Sequence, residues 1–260
     1  MEVVILEDAQ QVAELGADAL QSLLRTRPDA TLGLATGSSP LGVYRELGRR
    51  HAAGCVSLAR ARGFLLDEYV GLPADHPQRY RSVIRRELED LVDLPAEAVA
   101  GPDGGARDLP AACADYERQI VAAGGVDLQL LGVGTDGHVA FNEPGSSLSS
   151  RTRVKTLTAQ TRADNARFFA SPEDVPHHVL TQGLGTIREA RHLVLIATSS
   201  TKATAVRRLV EGPVSASCPA SVLQLHPHVT VILDEDAAAE LSLADYYRQT
   251  YAGKPEWQSL

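Results

Sequence analysis

Val126-Asp-Leu-Gln-Leu-Leu-Gly-Val-Gly-Thr-Asp-Gly-His-Val-Ala-Phe-Asn-Glu-Pro144 is the stretch whose reading decides the fold. It opens on a buried-looking strand, Val126 to Val133, and runs directly into a glycine-rich turn. Within eight positions that turn carries Asp136, His138 and Glu143. Two carboxylates flanking one imidazole can orient the ring and tune its pKa, so that it collects or delivers a proton near neutral pH. The segment therefore predicts a strand exit built for proton transfer.

Similar apolar runs recur on both sides of it: Val3–Leu6, Leu32–Ala35, Phe64–Leu66, Leu193–Ala197 and Val229–Leu233. Between them lie amphipathic stretches, among them Gln10–Arg25, Leu41–Ala53, Arg79–Leu91 and Ala111–Ala123. Strands alternating with helices predict an α/β fold, a doubly wound, mostly parallel sheet with helices on both faces, Rossmann-like. Pro95–Leu109, rich in Gly, Pro and Ala, reads as a surface loop. No boundary interrupts the pattern, and residues 1–260 read as a single domain.

Ligands of open α/β sheets bind beyond the carboxyl ends of the strands. The polar clusters of this chain fall at those places. Thr36-Gly37-Ser38-Ser39 follows one run, Asp67-Glu68 another, and Thr198-Ser199-Ser200-Thr201-Lys202 a third. Ser39 as N-cap with Pro40 at the first helical position would leave free amides and hydroxyls around an anion, phosphate being the usual occupant. A lysine in the second hydroxyl-rich exit suits the same anion. Plain helix capping is the alternative at both. One member of the Asp67-Glu68 pair is expected to face the crevice, where a carboxylate can abstract a proton beside a carbonyl or imine.

Several other chemistries fit poorly. Gly132-Val-Gly134-Thr-Asp136-Gly137 formally matches G-x-G-x-x-G, but Asp136 would put a negative charge inside a pyrophosphate cradle. Pro144 also arrives before any long helix, and Arg151 to Lys155 stands where a ribose-binding acid belongs. A metal on Asp136, His138 and Glu143 lacks a second histidine at ligand spacing; His177-His178 reads as a loop pair and His226-Pro-His228 as surface. There is no Walker G-K-[ST] ending and no G-x-S-x-G elbow.

The net charge of −8, without a block of Lys or Arg, argues against nucleic acid and anionic membranes as partners. Cys55, Cys113 and Cys218 form no C-x-x-C pair and read as buried or half-buried thiols of a reducing compartment. Met1–Leu6 does not read as a signal peptide, and no apolar run approaches the ~20 residues of a membrane span. The cytoplasm is the expected location.

Taken together, these segments resemble the glucosamine-6-phosphate deaminase family. The resemblance is carried by Leu34–Pro40, Leu66-Asp-Glu-Tyr-Val-Gly-Leu72, Gly132–Pro144, Ser150-Arg-Thr-Arg-Val-Lys-Thr156, Gln224-Leu-His-Pro227 and Lys254-Pro-Glu-Trp257. It runs nearly end to end. The sister 6-phosphogluconolactonases share the D-G-H core but continue differently, and Glu143 has no counterpart in their pattern.

The resemblance implies isomerising deamination of D-glucosamine 6-phosphate to fructose 6-phosphate and ammonia, without a metal or organic cofactor. It implies that His138, with Asp136 and Glu143, assists ring opening, and that Asp67 moves a proton from C2. The phosphate would lie against Thr36, Gly37, Ser38 and Ser39, with Arg167 and Lys202 as cations; an Arg fork also fixes orientation. Some family members are hexamers activated by N-acetylglucosamine 6-phosphate. The resemblance extends to that effector site through Ser146, Arg153 and Lys155, which makes a homo-oligomer an expectation. A basic strand edge at a subunit contact is the alternative reading of the last two. The tail here lacks the longer C-terminal pattern of the regulated members.

Overall fold

The computed structural model describes residues 1–255, 257, 258 and 260, with backbone alone at Gln160 and Asp164. Glu256, inside the Lys254–Trp257 match, lies outside the described residues. Among the described residues ten strands occur in chain order: β1 Glu2–Leu6, β2 Thr31–Leu34, β3 Arg62–Leu65, β4 Asp67–Tyr69, β5 Val99–Ala100, β6 Leu128–Leu131, β7 Arg153–Thr156, β8 His178–Thr181, β9 His192–Ala197 and β10 Val229–Asp234. The helices are α1 Ala9–Thr26, α2 Ser38–Ala52, α3 Tyr80–Glu87, α4 Leu109–Ala122, α5 Ala159–Asn165, α6 Leu184–Ile187, α7 Ala203–Val210 and α8 Ala244–Ala252.

Seven strands form one sheet in the order β1-β10-β9-β6-β2-β3-β5. Every pairing in it is parallel. The order runs outward from β2 through β3 to β5, then returns to β6 on the other side of β2. The switch point thus lies between β2 and β6, where an open α/β sheet places its crevice. Successive residues of β9 pack into different clusters: Leu193, Leu195 and Ala197 into one, Val194 and Ile196 into the other. Side chains alternate across a strand, so this split means that both faces of the sheet are covered. Each leucine so buried stabilises by about 1.5–3 kcal/mol.

The structure departs from the sequence reading in several places. A second, antiparallel sheet of order β4-β8-β7 stands beside the first. Pro95–Leu109 is not wholly loop, since β5 inside it is the edge strand of the large sheet. His178 is not in a loop but opens β8. His226 is not on the surface; it is buried, with its two ring nitrogens at 2.9 Å from the His228 carbonyl and 2.8 Å from that of Ala190. Cys55 is exposed, while Cys113 and Cys218 are buried. Among the described residues no helix is long and apolar enough to cross a membrane.

Candidate active site

Because the sheet is parallel, the exits of β9, β6, β2 and β3 all open at one edge. They bring Thr198–Lys202, Gly132–His138, Thr36–Ser39 and Asp67 to the same end of the molecule. The exits of β2 and β6 touch: a Cβ placed on Gly132 would lie 3.1 Å from Ser39 Oγ. Asp127 opens the same apolar run as His138 but lies at the opposite end, where it pairs with Arg27 and Arg191 at 2.6 Å. It takes no part in the site.

At the β2 exit, α2 begins two residues earlier than expected. Gly37 is the N-cap, Ser38 and Ser39 open the helix, and no side chain caps it. Ser39 is therefore not the cap, and Pro40 does not stand first. Free amides of a first turn, beside exposed Ser38 and half-buried Thr36 and Ser39, still suit an anion.

The β9 exit is strained. Ser199 has φ +77° and ψ 152°, a region that is essentially glycine's alone and costs about 1–3 kcal/mol. Asp234 holds the turn by accepting the Ser199 amide at 2.9 and 3.1 Å and the Ala237 amide at 2.8 Å. Glycine would relieve the strain but gives up about 0.5–1 kcal/mol of chain entropy. Ser199→Gly is expected to raise Tm by about 2–4 °C, checked by thermal denaturation. Half-buried Lys202 lies in the same turn, just before α7.

At the β6 exit, Asp136 and His138 form a pair. Asp136 Oδ1 accepts the His138 backbone amide at 3.0 Å and lies 2.6 Å from His138 Nδ1. This contact holds the Asp136 carboxyl below its ordinary pKa. An ionised carboxylate only accepts, so Nδ1 carries a proton and Nε2 is left for exchange. Both side chains are partly open to solvent, at 32% for His138 and 46% for Asp136. The chain then turns back on itself instead of entering a helix, through Gly137 at φ +90°. This is why a dinucleotide cradle does not form.

Glu143 is buried but does not join that pair. Its Oε1 accepts from Thr161 Oγ1 at 2.5 Å and Thr158 Oγ1 at 3.4 Å, at the start of α5. The same excursion carries Phe169, whose ring packs edge-on to Tyr69 at 5.6 Å and stacks with His76 at 5.8 Å. Arg167 lies on it too, exposed, with its guanidinium over the Phe168 ring at 4.8 Å. No hydrogen bond or ion pair among the described residues ties Arg167 to the β2 exit.

The acid pair after β3 divides by environment. Glu68 accepts the backbone amides of Tyr69, Tyr80 and Arg81 at 2.9, 2.9 and 3.1 Å, and so fastens α3 to β4. Asp67 is only 6% exposed and accepts no hydrogen bond among the described residues. Burial, with the Glu68 charge beside it, pushes its carboxyl up to about 8. A general base works best with a pKa near the operating pH.

Residues that the sequence did not single out stitch the Asp67 and Glu143 segments together. Thr181 pairs with Asp67 in the small sheet, and its Oγ1 accepts the Phe141 amide at 3.2 Å. Next to it, Gln182 donates its backbone amide to Leu66 O at 2.7 Å and accepts from Asn142 Nδ2 at 2.8 Å. Their neighbour Val179-Leu180 is apolar, which marks a strand but not this role.

Ser146 lies in the loop before β7, and Arg153 and Lys155 lie in the small sheet. Arg153 and Lys155 share one face of β7, its edge strand, and both are half-buried. Burial lowers the pKa of Arg153. Ser146 Oγ is buried and has no hydrogen-bond partner among the described residues. Arg151 is occupied elsewhere, by Glu117 at 2.6 Å and Glu189 at 2.5 Å. No cluster of three metal-ligating side chains occurs among the described residues.

Comparison with known proteins fits this geometry. A family profile described as glucosamine-6-phosphate isomerases/6-phosphogluconolactonase matches residues 7–232. A glucosamine-6-phosphate deaminase of Pseudarthrobacter chlorophenolicus is 65% identical over 260 residues, all of both chains. The chain belongs to the glucosamine-6-phosphate deaminase family. A solved structure from this enzyme family, described as a monomeric glucosamine-6-phosphate deaminase, superposes with a TM-score of 0.90. It is 40% identical and covers 92% of this chain and 100% of its own. A 6-phosphogluconolactonase from Trypanosoma cruzi has a TM-score of 0.73 at 23% identity, covering 93% of this chain and 97% of its own, which shows the shared fold.

Proposed function

We propose that this chain converts D-glucosamine 6-phosphate and water to D-fructose 6-phosphate and ammonia, in the catabolism of amino sugars in the cytoplasm. One observation carries the reading. A buried, unpaired carboxyl with a raised pKa, Asp67, lies at the same sheet edge as an imidazole already oriented by a carboxylate.

The phosphate sits against Thr36, Gly37, Ser38 and Ser39, with Lys202 as its cation. Arg167 completes the grip on the strength of the family resemblance, its segment folding inward over the sugar. His138 handles the ring-oxygen proton through Nε2, held in place by Asp136. Glu143 polarises the same region. Once the ring is open, Asp67 removes the C2 proton and returns it toward C1. The enolamine formed becomes an imine at C2, and water replaces its nitrogen as ammonia leaves. Each positioned acid or base contributes about 10²–10⁴ in rate.

Ser146, Arg153 and Lys155 form a candidate effector site for a second sugar phosphate, the buried unpartnered hydroxyl of Ser146 supporting a polar ligand there. A homo-oligomer belongs to the same reading.

The test is a coupled ammonia assay on glucosamine 6-phosphate, with and without N-acetylglucosamine 6-phosphate. Ammonia is the expected product. A protein that released none but opened 6-phosphogluconolactone would be a lactonase instead.

A further inference from the structure

We propose that Arg208 is a positioning residue for the Asp136–His138 pair, an inference that rests on the deaminase reading above. The pair needs bracing from outside, because it stands on an exposed turn and not on a strand. Arg208 reaches it from the last turn of α7. Its Nη1 donates to the Asp136 carbonyl at 3.3 Å and its Nη2 to the Ser217 carbonyl at 2.5 Å. One half-buried guanidinium thus joins three pieces of chain: α7, the catalytic turn, and the segment that follows α7.

That segment forms a saddle beneath the turn. The Ala220 amide donates to Gly137 O at 2.9 Å, and the Gly145 amide to Ala216 O at 2.8 Å. Cys218 lies so close that a Cβ on Gly137 would fall 2.6 Å from its Sγ. These contacts are made by backbone or by packing. Among the described residues the arginine fork is the side chain that bonds across from turn to saddle, and its planar donors fix direction as well as distance.

The helix adds a second consequence. Lys202, assigned to the phosphate, immediately precedes α7, and Arg208 stands in its final turn. Six residues of helix span about 9 Å at 1.5 Å each. The helix therefore links the seat of the phosphate to the seat of the imidazole as one rigid piece. The substrate fixed at its phosphate presents its ring oxygen to His138 at a constant distance. A misplacement of about 1 Å in such a geometry costs on the order of 10²-fold in rate.

Arg208→Met and Arg208→Lys test this against the unaltered chain. The measurements are kcat for ammonia release from glucosamine 6-phosphate, Kd for fructose 6-phosphate by calorimetry, and Tm. Arg208→Met is expected to lower kcat by about 10²-fold while Kd stays within about twofold. Arg208→Lys keeps one donor but not the fork, and its kcat should fall between the two. Equal losses of binding and rate would make the residue merely structural and overturn the proposal. So would an Arg208→Met protein with unaltered kcat. Should that variant fail to fold, a lowered kcat with retained Kd in Arg208→Lys supports the proposal, and an unchanged kcat overturns it. An unaltered chain that releases no ammonia sinks the deaminase reading itself, and the inference with it.

Discussion

Asp67→Asn is expected to lower kcat by about 10²–10⁴-fold while leaving fructose 6-phosphate affinity nearly unchanged. The reason is the division of labour at this site. In the proposed mechanism phosphate recognition belongs to the exits of β2 and β9, whereas Asp67 has no phosphate to hold. Asparagine fills the same space and cannot take a proton. Because Asp67 accepts no hydrogen bond among the described residues, no network is broken by the change. Equal losses in affinity and in rate, from calorimetry and steady-state kinetics, would assign Asp67 a binding role instead.

The same carboxyl sets the pH dependence. Its folded pKa of about 8 lies far above the ordinary carboxylate value. As a base it must be ionised, so kcat/KM of the free protein should fall about tenfold per pH unit below about 8 and level off above. A profile flat between about pH 6 and 9 would contradict this. The stability effect has the opposite sign. Between the unfolded value near 3.8 and about 8, the folded state holds a proton that the unfolded state has lost. Stability therefore declines across that window, and the full penalty remains above it. Removing the charge should recover part of that penalty, on the order of a few kcal/mol. Asp67→Asn should then melt higher than the unaltered chain at pH 8, and the gap should close toward pH 4. A dead enzyme that is more stable than the live one is the signature of a base kept buried for its chemistry.

Fold and site were legible to different depths. The large sheet announced itself because a strand covered on both faces is apolar over most of its length, as at Leu193–Ala197 in β9 and Val231–Leu233 in β10. Its exits then gathered the candidate site residues at one end, since parallel strands share one carboxyl edge. The small sheet was not legible. β7 alternates half-buried and exposed positions in a basic run, β8 offers only Val179 and Leu180 as apolar signal, and β4 begins with two acids. β5 has two residues, too few to show a period. Within the site, Asp67 and Glu68 look alike in sequence. Only the amides at the start of α3 tell them apart, by occupying Glu68. Glu143 was expected beside His138, and its hydrogen bonds instead go to Thr158 and Thr161. Nothing in the sequence singles out Arg208, since its acceptors are carbonyls 72 and 9 residues away.

Gly134→Ala should be nearly as damaging as loss of the imidazole itself, by about 10²–10³-fold in kcat. The glycine is not needed for a left-handed backbone at this position, as it is at Gly137. It is needed because the His138 ring lies flat against it. A Cβ there would fall 2.1 Å from Cε1, 2.2 Å from Nδ1 and 2.5 Å from Nε2. No small adjustment clears three ring atoms at once, so the imidazole must swing away. It would leave the Asp136 carboxylate with only the His138 backbone amide, and the oriented proton carrier would be gone. The phosphate exits are untouched, so Kd for fructose 6-phosphate should hold. Gly145→Ala is the matched control, because a Cβ there meets nothing within 4 Å, although φ +87° makes it strained. Its cost should appear in Tm, not in kcat. The pair of variants separates damage to the backbone from eviction of the ring. If Gly134→Ala kept its turnover, the imidazole could not be working from the position seen here.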